Sequence, residues 1–227
     1  MASVHDGHRA RRKAQFREHG LDVFTDHGAL ELLLFYAVPQ KDVNPLAHRL
    51  IDRFGSLEGV LSAPPDELRG VEGVGEHAAT LLTLILPMAR RVHMDSAKRG
   101  VALCDTEQLG RYFCGLFLGV REEILYEACL DAKGKLLRCC KVADGSVDAV
   151  QINMRRIVEN ALRCGASAVA LAHNHPSGVA LPSPDDNTTT LMACDALRTV
   201  GVELIDHIIV ADGDFVSLRD NGLLPPR

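Results

Sequence analysis

The residues with the clearest chemical potential lie in one short segment, between His173 and Asp186. His173 and His175 directly follow residues 167–172, an almost wholly apolar run typical of a strand buried on both faces. Side chains two residues apart point to the same side of an extended chain, so the two imidazoles are predicted to face one space. A Zn²⁺ ion placed between them would satisfy both nitrogens.

A third ligand is expected from Ser183-Pro184-Asp185-Asp186, which opens the next predicted helix. Two imidazoles and one carboxylate leave one tetrahedral position open, as in catalytic zinc sites, where the pKa of a bound water falls to about 7. That water needs a proton acceptor, and the sequence offers Glu122, Glu123 and Glu127. The same Ser-x-x-Asp spacing also fits a helix-capping box without any metal, and the two roles can coexist.

The elements that must position these groups follow from periodicity and from turn residues. The first hundred residues indicate helices, and from residue 105 the pattern becomes mixed α and β. Predicted helices cover residues 29–37, 44–54, 76–92, 106–119, 154–164 and 184–200. Predicted strands cover residues 123–131, 136–142, 167–172, 202–211 and 215–218.

Charge and cysteine usage exclude several classes of protein. The net charge of −5 falls entirely in residues 101–227, which argues against bulk electrostatic binding of nucleic acid there. A basic cluster between Arg9 and Arg17 is interpreted as a solvated terminal arm. Seven cysteines without a CxxC pair argue against a disulfide framework or a zinc ribbon. The Cys139-Cys140 pair is interpreted as core-and-solvent alternation on a strand, with redox activity as the alternative.

No apolar run is long enough for a membrane span, and the first residues lack the apolar stretch of a signal peptide. We therefore expect a cytoplasmic protein that does not associate with membranes.

The spacing H-x-H, seven residues, S-x-x-D resembles the motif of JAMM (MPN-plus) metalloproteases. Within that superfamily the chain resembles the RadC branch, on LAHNHPSG (171–178), PSPDD (182–186) and DHIIV (206–210). The helical front is similar to the branch's N-terminal domain at RFGSL (53–57) and VEGVG (71–75). The resemblance implies an α/β (α+β) fold, with a JAMM/MPN-like mixed sheet flanked by helices and preceded by a small all-helical domain.

The resemblance also implies roles for individual residues. His173, His175 and Asp186 would be the zinc ligands, with Asp185 as the alternative carboxylate. Glu123, with Glu127 as second choice, would take the proton from the activated water and pass it to the leaving amine. Ser183 would hydrogen-bond the developing oxyanion. The pair Asp206-His207 would support the site from behind or serve the fold alone.

The predicted organisation is a basic arm (1–20), a helix-hairpin-helix-like domain (21–94), a linker (95–104) and the metal-binding domain (105–227). The predicted function is zinc-dependent hydrolysis of peptide or isopeptide bonds in a peptide or protein substrate. The alternative is a DNA repair-associated factor that contacts DNA through residues 71–76, where glycines would let backbone amides approach a phosphate. Packing of helices is the other explanation of those glycines.

Overall fold

The computed structural model describes residues 4–39, 41–95, 101–144 and 150–225, with only the backbone of residues 4–6 and 150–153. The chain folds as two compact units, Met1–Met88 and Ala89–Arg227. The division falls within a helix, on the N-terminal side of the predicted linker. Residues 96–100 of that linker and residues 1–3 of the predicted arm lie outside the described residues. Within the described parts of the chain, no helix is long and apolar enough to cross a bilayer.

The first unit is built from helices, as predicted. They are α1 (Val4–His19), α2 (Asp26–Ala37), α3 (Asn44–Phe54), α4 (Leu57–Ser62), α5 (Pro65–Arg69) and the larger part of α6 (Glu76–Asp95). Leu30, Leu34, Leu50 and Leu82 are fully buried in the core of this unit. Thr25 caps α2 by accepting a hydrogen bond from the Gly28 amide, which satisfies one of the unpaired donors at that helix start.

The interpretation of residues 1–20 as a solvated arm is wrong for the described part, because the segment forms α1 and packs on α2. The Arg9 guanidinium donates hydrogen bonds to the carbonyls of Phe35 (3.2 Å) and Val38 (2.8 Å) and to that of Lys41. The last carbonyls of a helix have no partner within the helix, so a cation there is stabilised. Arg9 therefore caps the C-terminal end of α2 instead of remaining in solvent.

The second unit is a five-stranded mixed sheet between helices, which confirms the predicted fold class. Its elements are α7 (Thr106–Phe117), β1 (Ile124–Leu130), β2 (Leu136–Asp144), α8 (Val150–Cys164), β3 (Ala168–Asn174), α9 (Pro184–Thr199), β4 (Glu203–Ala211) and β5 (Asp214–Ser217). The strand order is β2-β1-β3-β4-β5. Among the strands in the described residues, only β3 and β4 pair in parallel, and α9 is the crossover between them.

The sheet has an apolar core on each face. Helix α7 covers one face, with Phe113 and Leu116 fully buried. Helices α8 and α9 cover the other face, with Ile157 and Leu197 fully buried. β3 is the central strand and is buried on both faces, as its apolar composition predicts. It continues two residues beyond the predicted end at Ala172, so His173 belongs to the strand itself.

Candidate metal centre

The two histidines lie at the C-terminal end of β3. His173 is the penultimate residue of the strand, and the His175 amide still donates to the Val210 carbonyl of β4 at 2.8 Å. The backbone at His175 therefore continues the pairing with β4. As predicted from the spacing of two residues, both side chains point the same way, and their Nε2 atoms lie 2.9 Å apart.

The first turn of α9 brings a carboxylate to these nitrogens. Asp186 Oδ1 lies 3.1 Å from His173 Nε2, and Asp186 Oδ2 lies 3.5 Å from His175 Nε2. Ligand atoms of the three residues lie within 4.8 Å of one another, the one such group found in the described part of the chain. The neighbouring Asp185, the alternative carboxylate in the sequence, is exposed and is not part of the group.

Ser183 holds the Asp186 carboxylate in place. Ser183 is the N-cap of α9, and its amide and its hydroxyl each donate to Asp186 Oδ2 at 2.7 Å. In return the Asp186 amide donates to Ser183 Oγ at 3.1 Å, which completes the capping box. Burial by itself would raise the pKa of Asp186, but a protonated His173 and the hydrogen bonds from the Ser183 hydroxyl and amide outweigh it and hold that pKa well below its usual value. The carboxylate is thus kept ionised.

Two backbone carbonyl oxygens, those of Val179 and Asp186, fix the tautomers of the imidazoles through hydrogen bonds. His175 Nδ1 lies 2.9 Å from the Val179 carbonyl oxygen, which can only accept, so this nitrogen carries the proton. On the other side, Thr190 Oγ1 donates to the Asp186 carbonyl at 2.6 Å and accepts from His207 Nδ1 at 2.6 Å. His207 Nε2 is then an acceptor, and His173 Nδ1 donates to it at 2.9 Å.

In their neutral forms, both site histidines therefore turn the unprotonated Nε2 toward the same point. Two lone pairs and a carboxylate oxygen facing one another at 2.9–3.5 Å repel unless a cation or a proton lies between them. Ligand atoms around a tetrahedral zinc ion with bonds of about 2.0–2.1 Å are about 3.3 Å apart. The donor set thus fits a small divalent cation.

His207 lies behind His173, and sequence reasoning left its role open. Its ring is fully buried, and burial lowers the pKa of His207 well below its usual value, so the imidazole stays neutral. Thr190, which orients it, was missed by sequence reasoning. The signal that could have found Thr190 is its position four residues after Asp186, on the same face of α9.

Asp206, the other member of that pair, serves the fold. Its carboxylate accepts hydrogen bonds from the Ser217 hydroxyl (2.7 Å), from the backbone amide of His207 (2.7 Å) and from the backbone amide of Arg219 (3.1 Å). These bonds fasten the turn after β5 to β4. Burial raises the pKa of Asp206, although these donors oppose the rise.

The predicted proton acceptor, Glu123, is half-buried and immediately precedes β1. Leu125 pairs with His173, so two residues further along the antiparallel register Glu123 comes opposite His175. Asn174 fixes this corner, because its side chain accepts from the Ile124 amide (2.9 Å) and donates to the Glu122 carbonyl (3.0 Å). The role of Glu123 itself stays a prediction.

Glu127, the second choice, lies deeper in the sheet and opposite Leu171. Its carboxyl is fully buried and accepts a hydrogen bond from Asn160 Nδ2 at 2.9 Å. Burial raises the pKa of Glu127 to about 8, so the group is mostly protonated at neutral pH. This arrangement favours Glu123 as the base.

The glycine-containing segment 71–76 forms the turn between α5 and the start of α6. Gly73 has a φ of 97°, which glycine adopts without strain. Basic groups around the turn already have partners: Arg49 donates to the Glu72 carbonyl at 3.0 Å, and Arg69 pairs with Glu76 at 2.8 Å and with Asp66. DNA contact through residues 71–76 stays a prediction.

Comparison with known proteins places the site in a family. A family model described as "RadC-like JAB domain" matches residues 103–223. A UPF0758 protein of Bordetella parapertussis is 40% identical over 207 residues, covering 91% of this chain and 92% of its own length. UPF0758 proteins of Rhodobacter capsulatus (37% identity, 93% and 99% covered) and Tolumonas auensis (33%, 94% and 96%) are similar along nearly their whole lengths. The chain therefore belongs to the RadC family, and its His173–His175–Asp186 group lies within the residues that match the RadC-like JAB domain.

Proposed function

We propose that this protein is a zinc-dependent metallohydrolase of JAMM type that cleaves peptide or isopeptide bonds. The observation that carries the proposal is the convergence of two Nε2 lone pairs and the Asp186 carboxylate on one point. His173, His175 and Asp186 would hold the ion and leave one coordination position open. Zinc bound there would act as a Lewis acid and lower the pKa of a bound water to about 7.

Two residues of the chain, Glu123 and Ser183, would transfer the proton and stabilise the developing negative charge. Glu123, at the start of β1, would accept the proton of the attacking water and transfer it to the leaving amine. Ser183 would donate its hydroxyl hydrogen bond to the oxyanion that develops on the substrate carbonyl. That hydroxyl now donates to Asp186 Oδ2, and the Ser183 amide holds the same oxygen. The hydroxyl can therefore turn toward substrate while the amide keeps the carboxylate in place.

The choice of zinc rests on the donor types. Two imidazoles and one carboxylate in a compact group suit zinc, whereas magnesium and calcium prefer oxygen ligands. Two neutral imidazoles and one carboxylate leave a bound Zn²⁺ site with a net charge of +1, which favours a carbonyl oxygen or an ionising water.

Metal analysis of the purified protein, followed by a screen of peptide and lysine-linked isopeptide libraries, tests the proposal. We expect about one zinc per chain and cleavage that a chelator abolishes and zinc restores. His175→Ala should lose the metal, Glu123→Gln should keep the metal and lose cleavage, and Asp185→Asn should change neither. A protein that binds no zinc, or a Glu123→Gln variant with full activity, contradicts the proposal.

A further inference from the structure

The loop between β3 and α9 carries two exposed apolar side chains. Val179 is 53% exposed and Leu181 is 69% exposed. Ala180, which lies between them, packs against the core under α8 and α9. Burial therefore alternates along residues 178–183, which we call the rim segment, and its two larger apolar side chains turn away from the core on the same side.

Both ends of the rim segment are hydrogen-bonded to residues of the metal group. The Val179 carbonyl accepts from His175 Nδ1 at 2.9 Å. At the other end, the Ser183 amide donates to Asp186 Oδ2 at 2.7 Å. The rim segment therefore runs along the edge of the candidate metal centre. Leu181 lies two residues before Ser183, which is about 7 Å along an extended chain.

The backbone of the rim segment is restricted, so the apolar surface exists before a ligand binds. Leu181 and Ser183 each precede a proline, and a residue in that position is confined to extended conformations. Ser183 has a φ of −84° and a ψ of 165°. At Gly178, a Cβ would lie 2.7 Å from Asp212 Oδ2, so the turn after β4 closes against the start of the segment. A bound peptide would meet apolar groups at fixed positions, which lowers the entropy cost of binding.

We propose that Val179 and Leu181 bind a bulky apolar side chain of an extended peptide substrate, such as leucine, methionine or phenylalanine, within two residues of the bond that is cleaved. This specificity rests on the proposed function, because it names the substrate class of the same site. An extended peptide advances about 3.3 Å per residue, so a side chain one or two residues from the scissile carbonyl comes level with Leu181.

An apolar occupant fits the chemistry of the neighbouring groups. The polar groups of His175, Ser183 and Asp186 are directed at the metal and at the reacting carbonyl, so side chains beyond that carbonyl meet the rim segment instead. Single exposed apolar residues are common, but adjoining ones at the edge of a polar site are typical of a binding surface. A polar side chain would lose water against Val179 and Leu181 without gaining a hydrogen bond from their side chains.

Binding of peptide hydroxamates to the zinc-loaded full chain tests this surface without requiring cleavage, because the hydroxamate group chelates the metal. One set of dye-labelled tetrapeptides carries the hydroxamate after the peptide and a second set carries it before, so both sides of the metal are sampled. Leucine and asparagine, which have nearly equal volumes, are compared at the two positions next to the hydroxamate. In one of the sets we expect the leucine peptide to bind about tenfold more tightly, measured by fluorescence anisotropy.

Variants of the rim segment should change this preference and leave the metal alone. Leu181→Asn should reduce the preference for leucine to about twofold, and Val179→Thr, which keeps the shape of the side chain, to about threefold. Both should keep the zinc affinity and the affinity for acetohydroxamate, which has no side chain to place on the rim segment. Leu162→Asn, at a leucine of α8 that is 56% exposed, is the matched control and should retain the tenfold preference.

The two possible failures are distinguishable. A chain that binds no zinc contradicts the proposed function and this specificity together. A zinc-loaded chain that binds acetohydroxamate but binds the leucine and asparagine peptides equally in both sets overturns the specificity alone. An unchanged preference in Leu181→Asn does the same, and in both cases the proposed function still stands.

Discussion

His173 Nδ1 lies 2.9 Å from His207 Nε2, and this contact determines which nitrogen of His173 faces the candidate metal centre. Since Thr190 receives the proton on the far side of His207, the nitrogen next to His173 has only a lone pair to offer. The neutral His173 ring must then carry its proton on Nδ1, which leaves Nε2 unprotonated on the side of the metal centre. Thr190 and His207, which do not belong to the metal group, thus determine the tautomer of His173, one of its candidate ligands.

Replacing His207 should weaken metal binding without removing a ligand. His207→Leu fills the buried space but leaves His173 Nδ1 without an acceptor, and we expect zinc affinity to fall about 10–100-fold. Competition with a chromogenic chelator measures the affinity, and circular dichroism reports whether the fold is kept. Ile208→Val, at the next residue of β4 but on the face under α7, is the control and should bind zinc normally. An unchanged affinity in a folded His207→Leu protein would contradict the positioning role.

Thr190→Val tests the next bond in the same chain. It removes the acceptor of the His207 Nδ1 proton, so we expect a smaller loss of zinc affinity, about threefold to tenfold, in the direction of His207→Leu. Thr188→Val on the same helix loses only a hydrogen bond to the Pro184 carbonyl (3.0 Å) and should leave zinc affinity unchanged. The double variant with His207→Leu should be no weaker than His207→Leu alone, because both changes interrupt one chain. Additive losses would show that Thr190 acts independently.

What could be predicted from the sequence was local in the chain. The spacing of His173 and His175 on a strand, and the position of Asp186 in a helix first turn, depend on periodicity and capping alone. The His207 contact could not be predicted in this way. It depends on the parallel register that sets Leu171 opposite His207, which arises from tertiary packing of β3 and β4.

Helix α1 shows the same limit in the first unit. Its charged residues, without an apolar stripe, indicate a solvated segment when taken alone. Its partners are the carbonyls at the end of α2 and the buried Glu31, more than twenty residues along the chain. These partners are recognised only in the folded structure, where α1 packs on α2.

Ser183→Ala should separate the capping role from other uses of this residue. The change removes the hydroxyl that accepts from the Asp186 amide and donates to Asp186 Oδ2. We expect the free energy of unfolding to fall by about 1 kcal/mol, and zinc affinity to fall modestly because the carboxylate is less firmly held. Ser183→Thr keeps a hydroxyl and should retain most of both, and Ser177→Ala on the preceding exposed loop is the control. Urea unfolding measures the free energy of unfolding, and chelator competition measures the zinc affinity. Equal stability of Ser183→Ala and Ser183→Thr would argue against the capping role.

Glu127 predicts a pH dependence with a definite sign. Burial raises its pKa from 4.5 to about 8, so the folded protein binds a proton there that the unfolded chain has lost. The contribution of Glu127 to stability is therefore present at low pH and is lost as pH rises toward 8, by roughly 1.4 kcal/mol for each pH unit. Glu127→Gln should match the original protein near pH 5 and become progressively more stable than it by pH 8. Urea unfolding across this range tests it, and a stability difference that does not change with pH would place the pKa of Glu127 near its ordinary value.

The docking of α1 on α2 should depend on a buried carboxylate. Glu31 is fully buried, with His8 Nε2 at 3.0 Å and Arg12 Nε at 3.4 Å from its oxygens. Arg12→Ala leaves this charge with one fewer partner, so we expect the unit to lose about 1–3 kcal/mol and the amides of α1 and α2 to exchange faster with deuterium. Arg11→Ala, one residue away and exposed, should change neither.

Adding Glu31→Gln to Arg12→Ala shows whether the unpaired charge is the cause. A neutral amide costs less to bury than an unpaired carboxylate, so the double variant should recover part of the lost stability and slow the exchange of α1. This recovery is the outcome that distinguishes electrostatics from lost packing, because the Arg12 side chain is absent in both variants. Exchange as fast in the double variant as in Arg12→Ala would assign the effect to packing of the arginine stem instead.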